Sequence, residues 1–314
     1  MTDQLSEVFE LVEVRGLVSG GFAAQGPWVS RATLRETFKF IAMVSGRARL
    51  TTDGIDAPIE LRPGDVAILN NRSRLELSGG PDDGSDDGSG GPVREVEPIE
   101  TGLELLEADW DSNDIVLGGR IDLNEAGRTL LGEALPPVAH VQASPSTGAN
   151  LRGSLHRLFA EVTGNRIGSA FAIRQHAQLV LLEVLRTYVE QAELPPGWLR
   201  VLTDERLRPA LTLMHSQPDT LWGLNELAHA AAMSRTAFAE RFRAVAGMPP
   251  RAYLNRWRMM LAQRALRNGD VSVGSLASEL GYASESAFST AFKREVGESP
   301  LRYRFNARAQ ALSS

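Results

Sequence analysis

Around residue 240 of this chain, side chains able to hydrogen-bond or carry charge fall in a helical spacing. In "TAFAERFRAVAGMPPRAY", residues 236–253, Phe238, Phe242 and Val245 recur at i, i+4 and i+7 and must turn inward. That leaves Arg235, Thr236, Ala239, Glu240 and Arg243 on the outer faces. The chemistry on offer is recognition of a polar partner, not the making of bonds.

The same skeleton returns fifty residues later as "SAFSTAFKREVGESPLRY", pairing Phe238 with Phe288, Phe242 with Phe292, Gly247 with Gly297, Pro250 with Pro300 and Tyr253 with Tyr303. Five matches at one offset mark a duplication. "LNELAHAAAMSRTAFAERFRAVAG" reads as a short helix, a turn and a second helix capped by Ser234. "VGSLASELGYASESAFSTAFKREVG" repeats this, with Leu276, Ala277 and Leu280 on the bracing helix, Gly281 at the turn, and Phe288 and Phe292 beneath the second helix. This is the helix-turn-helix layout, over about residues 224–245 and 273–295, in which the exposed start of the second helix enters the DNA major groove. Between the copies, "RAYLNRWRMMLAQRALRNGD" reads as one helix ending near Asn268-Gly269; about 17 residues at about 1.5 Å each give some 25 Å. Such a rod suits two reading heads spaced on the order of 34 Å, one duplex turn.

Charge supports that placement. Residues 1–199 hold 17 Arg and Lys against 29 Asp and Glu, while residues 200–314 hold 16 against 10, so only the C-terminal part carries the excess of cations that phosphates attract. With no cysteine, disulfides, thiolate zinc sites and thiol nucleophiles are excluded. The acidic start "MTDQLSEVFELVEV" and the lack of an apolar run of about 18 residues predict a cytoplasmic protein with no membrane partner.

Residues 7 to about 120 read as short strands ("FELVEVRGLV", "FKFIAMVSG", "RARLTT", "PIELRPGDVAIL", "RLELS", "IVLGGRIDL") separated by Gly, Asp, Asn and Pro turns, the pattern of a sandwich or barrel. "GGPDDGSDDGSGGP", residues 79–92, has no apolar residue to bury and reads as a solvated loop. From about residue 124 the spacing becomes helical, with Leu179, Leu182, Val184, Leu185 and Val189 as one apolar face that either packs on its own β domain or forms a subunit interface. "ELPPGW", residues 193–198, ends that helix. The expected organisation is α+β and multidomain: a β-barrel over 1–140, a helical dimerisation and linker region over 141–196, and an all-α domain with two helix-turn-helix motifs over 197–314.

The double motif, the linking pattern Tyr253…Arg258-Met259-x-x-Ala262-x-x-Ala265-Leu266 and the closing "FKREVGESPLRYR" resemble the DNA-binding domain of AraC/XylS-type transcription regulators over about residues 203–308. "SGRARL" followed by "LRPGDVAIL" resembles the cupin-type sensor domain of many members. The resemblance implies a ligand-responsive, usually dimeric regulator that binds double-stranded DNA and, as an activator, meets RNA polymerase. It implies base-edge contacts from Arg235, Thr236, Ala239 and Glu240 on the first recognition helix and from Glu285, Ser286, Ser289 and Thr290 on the second. Arg243, Lys293 and Arg294 are the phosphate candidates. Only Arg235 can make the bidentate contact to guanine, so a degenerate site is expected. Two departures stand out: Gly223 replaces the usual Ser or Thr cap, and Glu240 adds negative charge to a face that meets phosphates.

Cupin barrels also serve as metal-dependent enzymes, the rival class. His140, His156, His176, His215 and His229 all lie outside the strand-rich segment, and "NNRSRLELS" after "PGD" has none, so no metal, cofactor or catalytic residue is expected. A binding pocket for a small-molecule effector is expected from Phe22, Trp28, Phe38, Phe40 and Met43, with Arg31 and Lys39, and also Arg47 and Arg49, able to meet an anionic or hydroxylated ligand. Gly64 and Asp65 of "RPGD" read as a tight turn that binds nothing.

Overall fold

Alternating residues of the N-terminal half pair into two facing sheets in the computed structural model, which describes residues 4–16, 20–80, 93–97, 113–143, 149–164 and 166–312. Of the stretch 79–92 expected to be a solvated loop, residues 81–92 lie outside the described residues, and Gly79 ends a strand. The chain divides into two compact units: Glu13–Glu193, and Leu194–Ser314 together with Met1–Val12.

The first unit holds β1 (Val14–Gly16), β2 (Gly20–Ala24), β3 (Trp28–Thr33), β4 (Phe38–Ser45), β5 (Ala48–Thr52), β6 (Ile59–Leu61), β7 (Val66–Asn70), β8 (Arg74–Gly79), β9 (Arg94–Glu95), β10 (Asp114–Arg120), β11 (Asp122–Leu123) and β12 (Val138–Val141). Five strands run in the order β12-β7-β4-β10-β2, five more in the order β6-β5-β8-β3-β9, and β1 pairs with β11. The pairing is antiparallel except between β3 and β9. The architecture is therefore a cupin-type sandwich whose sheets do not close into a barrel. Phe22, Ile41, Met43 and Leu69 of one sheet pack on Trp28, Leu50, Leu61 and Leu77 of the other, the alternate residues that a pleated strand sends to one face.

Among the described residues, three helices complete this unit: α2 (Glu125–Ala134), capped by Asn124, α3 (Ala149–Thr163) and α4 (Ser169–Gln191). α4 packs on α3, β1 and β12. Its buried face is Ala177, Val180, Leu181, Val184, Leu185, Thr187 and Tyr188, which includes Val184 and Leu185 of the expected face, while Leu182 and Val189 are half-buried and Leu179 stays 48% exposed. The helical pattern from 124 hid β12, where four residues return to pair with β7 and carry His140 into the sheet. Asp65 is likewise more than a turn residue. Only 5% exposed, it accepts from the amides of Arg62 (2.9 Å) and Ala143 (2.8 Å) and lies 3.3 Å from His140 Nε2. Burial pushes its pKa up, but the His140 bond and the two amides outweigh that and hold it below the ordinary carboxylate value.

The second unit contains α1 (Gln4–Phe9), α5 (Trp198–Thr203), α6 (Arg208–Ser216), α7 (Leu224–Ala230), α8 (Arg235–Ala246), α9 (Pro250–Asn268), α10 (Val273–Glu279), α11 (Glu285–Val296) and α12 (Pro300–Leu312). "FELVEVRGLV" was expected to be strand, yet Phe9 closes α1 and β1 begins only at Val14. Val8, Leu11 and Val12, at i, i+3 and i+4, are each less than 9% exposed, and a helix or turn buries that spacing where a strand would split it between faces. Gln4 donates to the Arg208 carbonyl (3.2 Å) and to Thr212 Oγ1 (3.1 Å), and Glu10 pairs with Arg264 at 2.9 Å. Residues 4–12 thus belong to the C-terminal unit.

Candidate nucleic-acid interface

Each helix-turn-helix copy has its own core, and α9 serves both. Phe238, Phe242, Tyr253 and Leu254 cluster with α5, α6 and α7, while Met259, Ala262 and Leu266, further along α9, cluster with Phe288, Phe292 and Tyr303. The duplication holds at the level of ring geometry. Phe238 and Phe242 lie 5.7 Å apart at 53°, Phe288 and Phe292 5.7 Å apart at 49°. Tyr253 meets Phe242 edge-on at 5.6 Å and 77°, as Tyr303 meets Phe292 at 5.6 Å and 76°. Such offset and edge-on pairs suit the ring quadrupole. Gly247 (φ +73) and Gly297 (φ +92) end the two recognition helices in the left-handed conformation.

At the start of the recognition helices, the Ser234 hydroxyl accepts from the Ala237 amide (3.3 Å) and the Ser284 hydroxyl from the Ala287 amide (3.2 Å). The turns ahead of them differ by one residue. Ala232 N bonds His229 O and Met233 N bonds Ala228 O, matched by Gly281 N to Ser278 O and Tyr282 N to Ala277 O. The repeat offset is therefore 49 before the turn and 50 after it, with Ala283 the added residue. The left-handed position is Gly281 (φ +74) in the second copy but Ala232 (φ +52) in the first, where the Cβ is strained. A Cβ on Gly281 would lie 2.0 Å from the Asp219 carbonyl oxygen, so glycine there also permits the loop before α7 to pack closely. Gly223 does cap α7, and its amide is held by Glu226 Oε2 at 2.7 Å in place of a hydroxyl cap.

Arg235, Thr236, Glu240 and Arg243 are exposed on α8 and Ala239 is half-buried; on α11, Glu285, Ser286, Thr290, Lys293 and Arg294 are exposed and Ser289 is half-buried. All eleven lie on the two recognition helices. Arg235, Arg243, Lys293 and Arg294 form no ion pair with the described residues, whereas Arg241, between them in sequence, is held by Asp204 at 2.7 Å.

Arg258 was visible in the sequence only as part of a pattern. It is 5% exposed on α9, its Nε donates to the Pro218 carbonyl and its Nη2 to the Thr220 carbonyl (3.1 Å), and its guanidinium lies 5.8 Å from the Tyr282 ring. Burial lowers its pKa below the usual guanidinium value. It joins the segment entering the first motif to the turn of the second. His215 is a further buried group, stacked 3.8 Å from Trp257, with Nδ1 2.8 Å from Glu7 Oε2 and Nε2 2.9 Å from Tyr253 Oη. A carboxylate can only accept, so the neutral ring donates from Nδ1 to Glu7 and accepts at Nε2 the hydrogen bond donated by the Tyr253 hydroxyl.

The nine effector-pocket candidates do not converge on one pocket. Phe22, Trp28 and Met43 are packed between the sheets, with Phe22 and Trp28 edge-on at 5.0 Å. Phe38 and Phe40 belong to the opposite face of β4, where Phe38 meets α2 near Gly132. Arg31 is exposed and paired with Glu76 (2.8 Å) and Glu95 (3.7 Å), and Lys39 is half-buried. A cavity of about 530 Å³ in this unit is lined by the other two candidates, Arg47 and Arg49, together with residues not singled out in the sequence, Arg62 among them. Among the described residues, no group of three or more His, Cys, Asp or Glu is placed to hold a metal ion, and no helix is long and apolar enough to cross a membrane.

Comparison with known proteins returns two family matches, one described as cupin over residues 3–190 and one as a helix-turn-helix domain over residues 227–306. A protein of Streptomyces lividans described as an AraC-like transcription regulator is 34% identical over 310 residues, covering 96% of this chain and 98% of that one. The HTH-type transcriptional regulator MtrA of Neisseria gonorrhoeae is 31% identical over 307 residues, with the same coverage of 96% and 98%. Among solved structures, the DNA-binding domain of AdpA in complex with a target DNA matches with 32% identity over 35% of this chain and 100% of that one, at a TM-score of 0.33.

Proposed function

The chain belongs to the family of AraC-like transcription regulators, and from that premise we propose that two recognition helices read its DNA site while the cupin domain senses a small-molecule effector. It is a DNA-binding transcription regulator with an N-terminal cupin domain, not an enzyme, and its macromolecular partner is double-stranded DNA. The observation that carries the two-headed reading is the matching of both motifs, ring for ring and cap for cap, around one shared α9.

In this reading Arg235, Thr236, Ala239 and Glu240 meet base edges from α8, and Glu285, Ser286, Ser289 and Thr290 do so from α11. Guanidinium bonds guanine, carboxylate accepts from cytosine N4, hydroxyls serve either way, and methyl groups contact thymine. Arg243, Lys293 and Arg294 hold phosphates. The test is selection of bound sequences from a random duplex pool by the full-length protein at moderate salt. Two short motifs about one duplex turn apart are expected. Arg235→Ala should cost about 1–3 kcal/mol and relax one position only. Failure to enrich any sequence would refute the reading.

The regulator acts in the cytoplasm as a homodimer and, when it activates, engages RNA polymerase. Dimerisation uses the α3 and α4 region, since Phe171 (62% exposed) and Leu179 (48%) on α4 and Ile167 just before it leave apolar surface uncovered. Sedimentation at micromolar concentration tests it: dimer is expected, and monomer alone, with and without DNA, would remove this part.

A further inference from the structure

Resting on the two-headed reading above, we propose that Arg258 positions the two reading heads relative to each other, so that the protein discriminates DNA sites by the spacing between their two motifs. On α9, Tyr253 and Leu254 enter the core of the first motif, and Met259, Ala262 and Leu266 enter that of the second. Arg258 stands where the helix passes from one core to the other, and it is only 5% exposed. A buried guanidinium costs stability unless its donors are met, and the best-attested use of such a group is to fix register.

Its partners come from both motifs. Nε donates to the Pro218 carbonyl and Nη2 to the Thr220 carbonyl (3.1 Å), in the loop that leads into α7. That loop is itself fastened to the first motif: the Gln217 carbonyl accepts from the Thr220 amide (3.2 Å) and from Trp222 Nε1 (3.1 Å), and Trp222 packs on the first core. On the other side the guanidinium lies 5.8 Å from the Tyr282 ring, which packs on the second core and meets Phe288 edge-on at 5.4 Å. The loop and the second turn also approach closely, since a Cβ on Gly281 would fall 2.0 Å from the Asp219 carbonyl oxygen. A path of contacts thus runs from Trp222 through Arg258 to Phe288, in addition to the separate hold of each core on α9. The planar fork meets two carbonyls and keeps a face for the ring, which the compact ammonium of lysine does not. With the joint broken, each motif keeps its own core, but the angle between α8 and α11 is less constrained.

One added base pair turns the second DNA motif by about 34° around the duplex axis and moves it about 3.4 Å, which a fixed pair of heads cannot follow. Full-length parent and Arg258→Met are titrated by fluorescence anisotropy against the selected duplex and against versions with one base pair added or removed between the motifs. Two linked heads bind in concert only while both reach their motifs, so the parent should lose about tenfold or more in affinity at either altered spacing. In Arg258→Met that loss should shrink about threefold or more, whereas a merely structural role would weaken all three duplexes alike. Tyr282→Leu leaves both carbonyl bonds in place, should relax the spacing in the same direction, and decides the matter if Arg258→Met does not fold. Because the chain has no cysteine, spin labels can be confined to Ala237→Cys and Ala287→Cys, both at exposed positions. Without DNA, the distance distribution between α8 and α11 should be broader in Arg258→Met than in the parent. A spacing penalty as steep in the variants as in the parent, or an unbroadened distribution, would overturn the proposal and leave the two-headed reading standing. A parent that selects no paired motifs would remove both.

Discussion

Acid should loosen the C-terminal unit through one buried ring. The His215 side chain is fully buried, stacked on Trp257 and bonded at both nitrogens, and burial pushes its pKa down from 6.5 to about 4. A histidine with a lowered folded pKa binds fewer protons folded than unfolded between those two values. Its contribution is therefore complete above pH 6.5 and is lost as pH falls toward 4. Linkage gives a loss of about 2 kcal/mol between pH 7.5 and pH 5, and about 3 kcal/mol once pH is below the folded value. Other groups titrate over the same range, so the assay must be differential. Urea unfolding of the parent and of His215→Gln, followed by tryptophan fluorescence at fixed salt, should show a stability gap that is widest at pH 7.5 and narrows by about 2 kcal/mol at pH 5. A gap that does not change with pH, or that widens as the solution becomes acid, would refute the argument.

Arg258→Met keeps the volume of the side chain but removes both bonds to the Pro218 and Thr220 carbonyls. It should cost about 2–3 kcal/mol after allowing for the charge no longer buried, measured by urea unfolding. Ala232→Gly relieves the left-handed strain at an exposed position and should be neutral or stabilising by up to about 1 kcal/mol, since added freedom of the unfolded chain offsets part of the gain. Gly281→Ala is the opposite experiment: the new Cβ meets the Asp219 backbone, so a fall in stability of about 2 kcal/mol or more is expected by thermal denaturation. Glu240→Gln removes a negative charge from the face of α8, and fluorescence anisotropy should find tighter binding to random-sequence DNA, with the difference shrinking as salt rises.

The helix-turn-helix pair was legible because its signals are local. Phenylalanines at i and i+4, a glycine where the chain turns left-handed, a proline opening the next helix and a serine cap each act within a few residues, and the repeat printed them twice. The short strands and the cupin resemblance were legible for the same reason. Local pattern could not say which face of a strand shares a pocket. The aromatic candidates on β2, β3 and β4 divided between the sheet interface and the α2 side, because register alone sends alternate residues apart.

Sequence by itself therefore determined the class of the protein, its two helix-turn-helix motifs and most of the residues exposed on their second helices. Tertiary structure alone decided that residues 4–12 join a unit that begins again nearly two hundred residues later, that Arg258 ties one motif to the next, and that β12 brings His140 to Asp65. Each of these joins segments distant in the chain. Their energy comes from burial and charge in a shared environment, which no window of neighbouring residues contains.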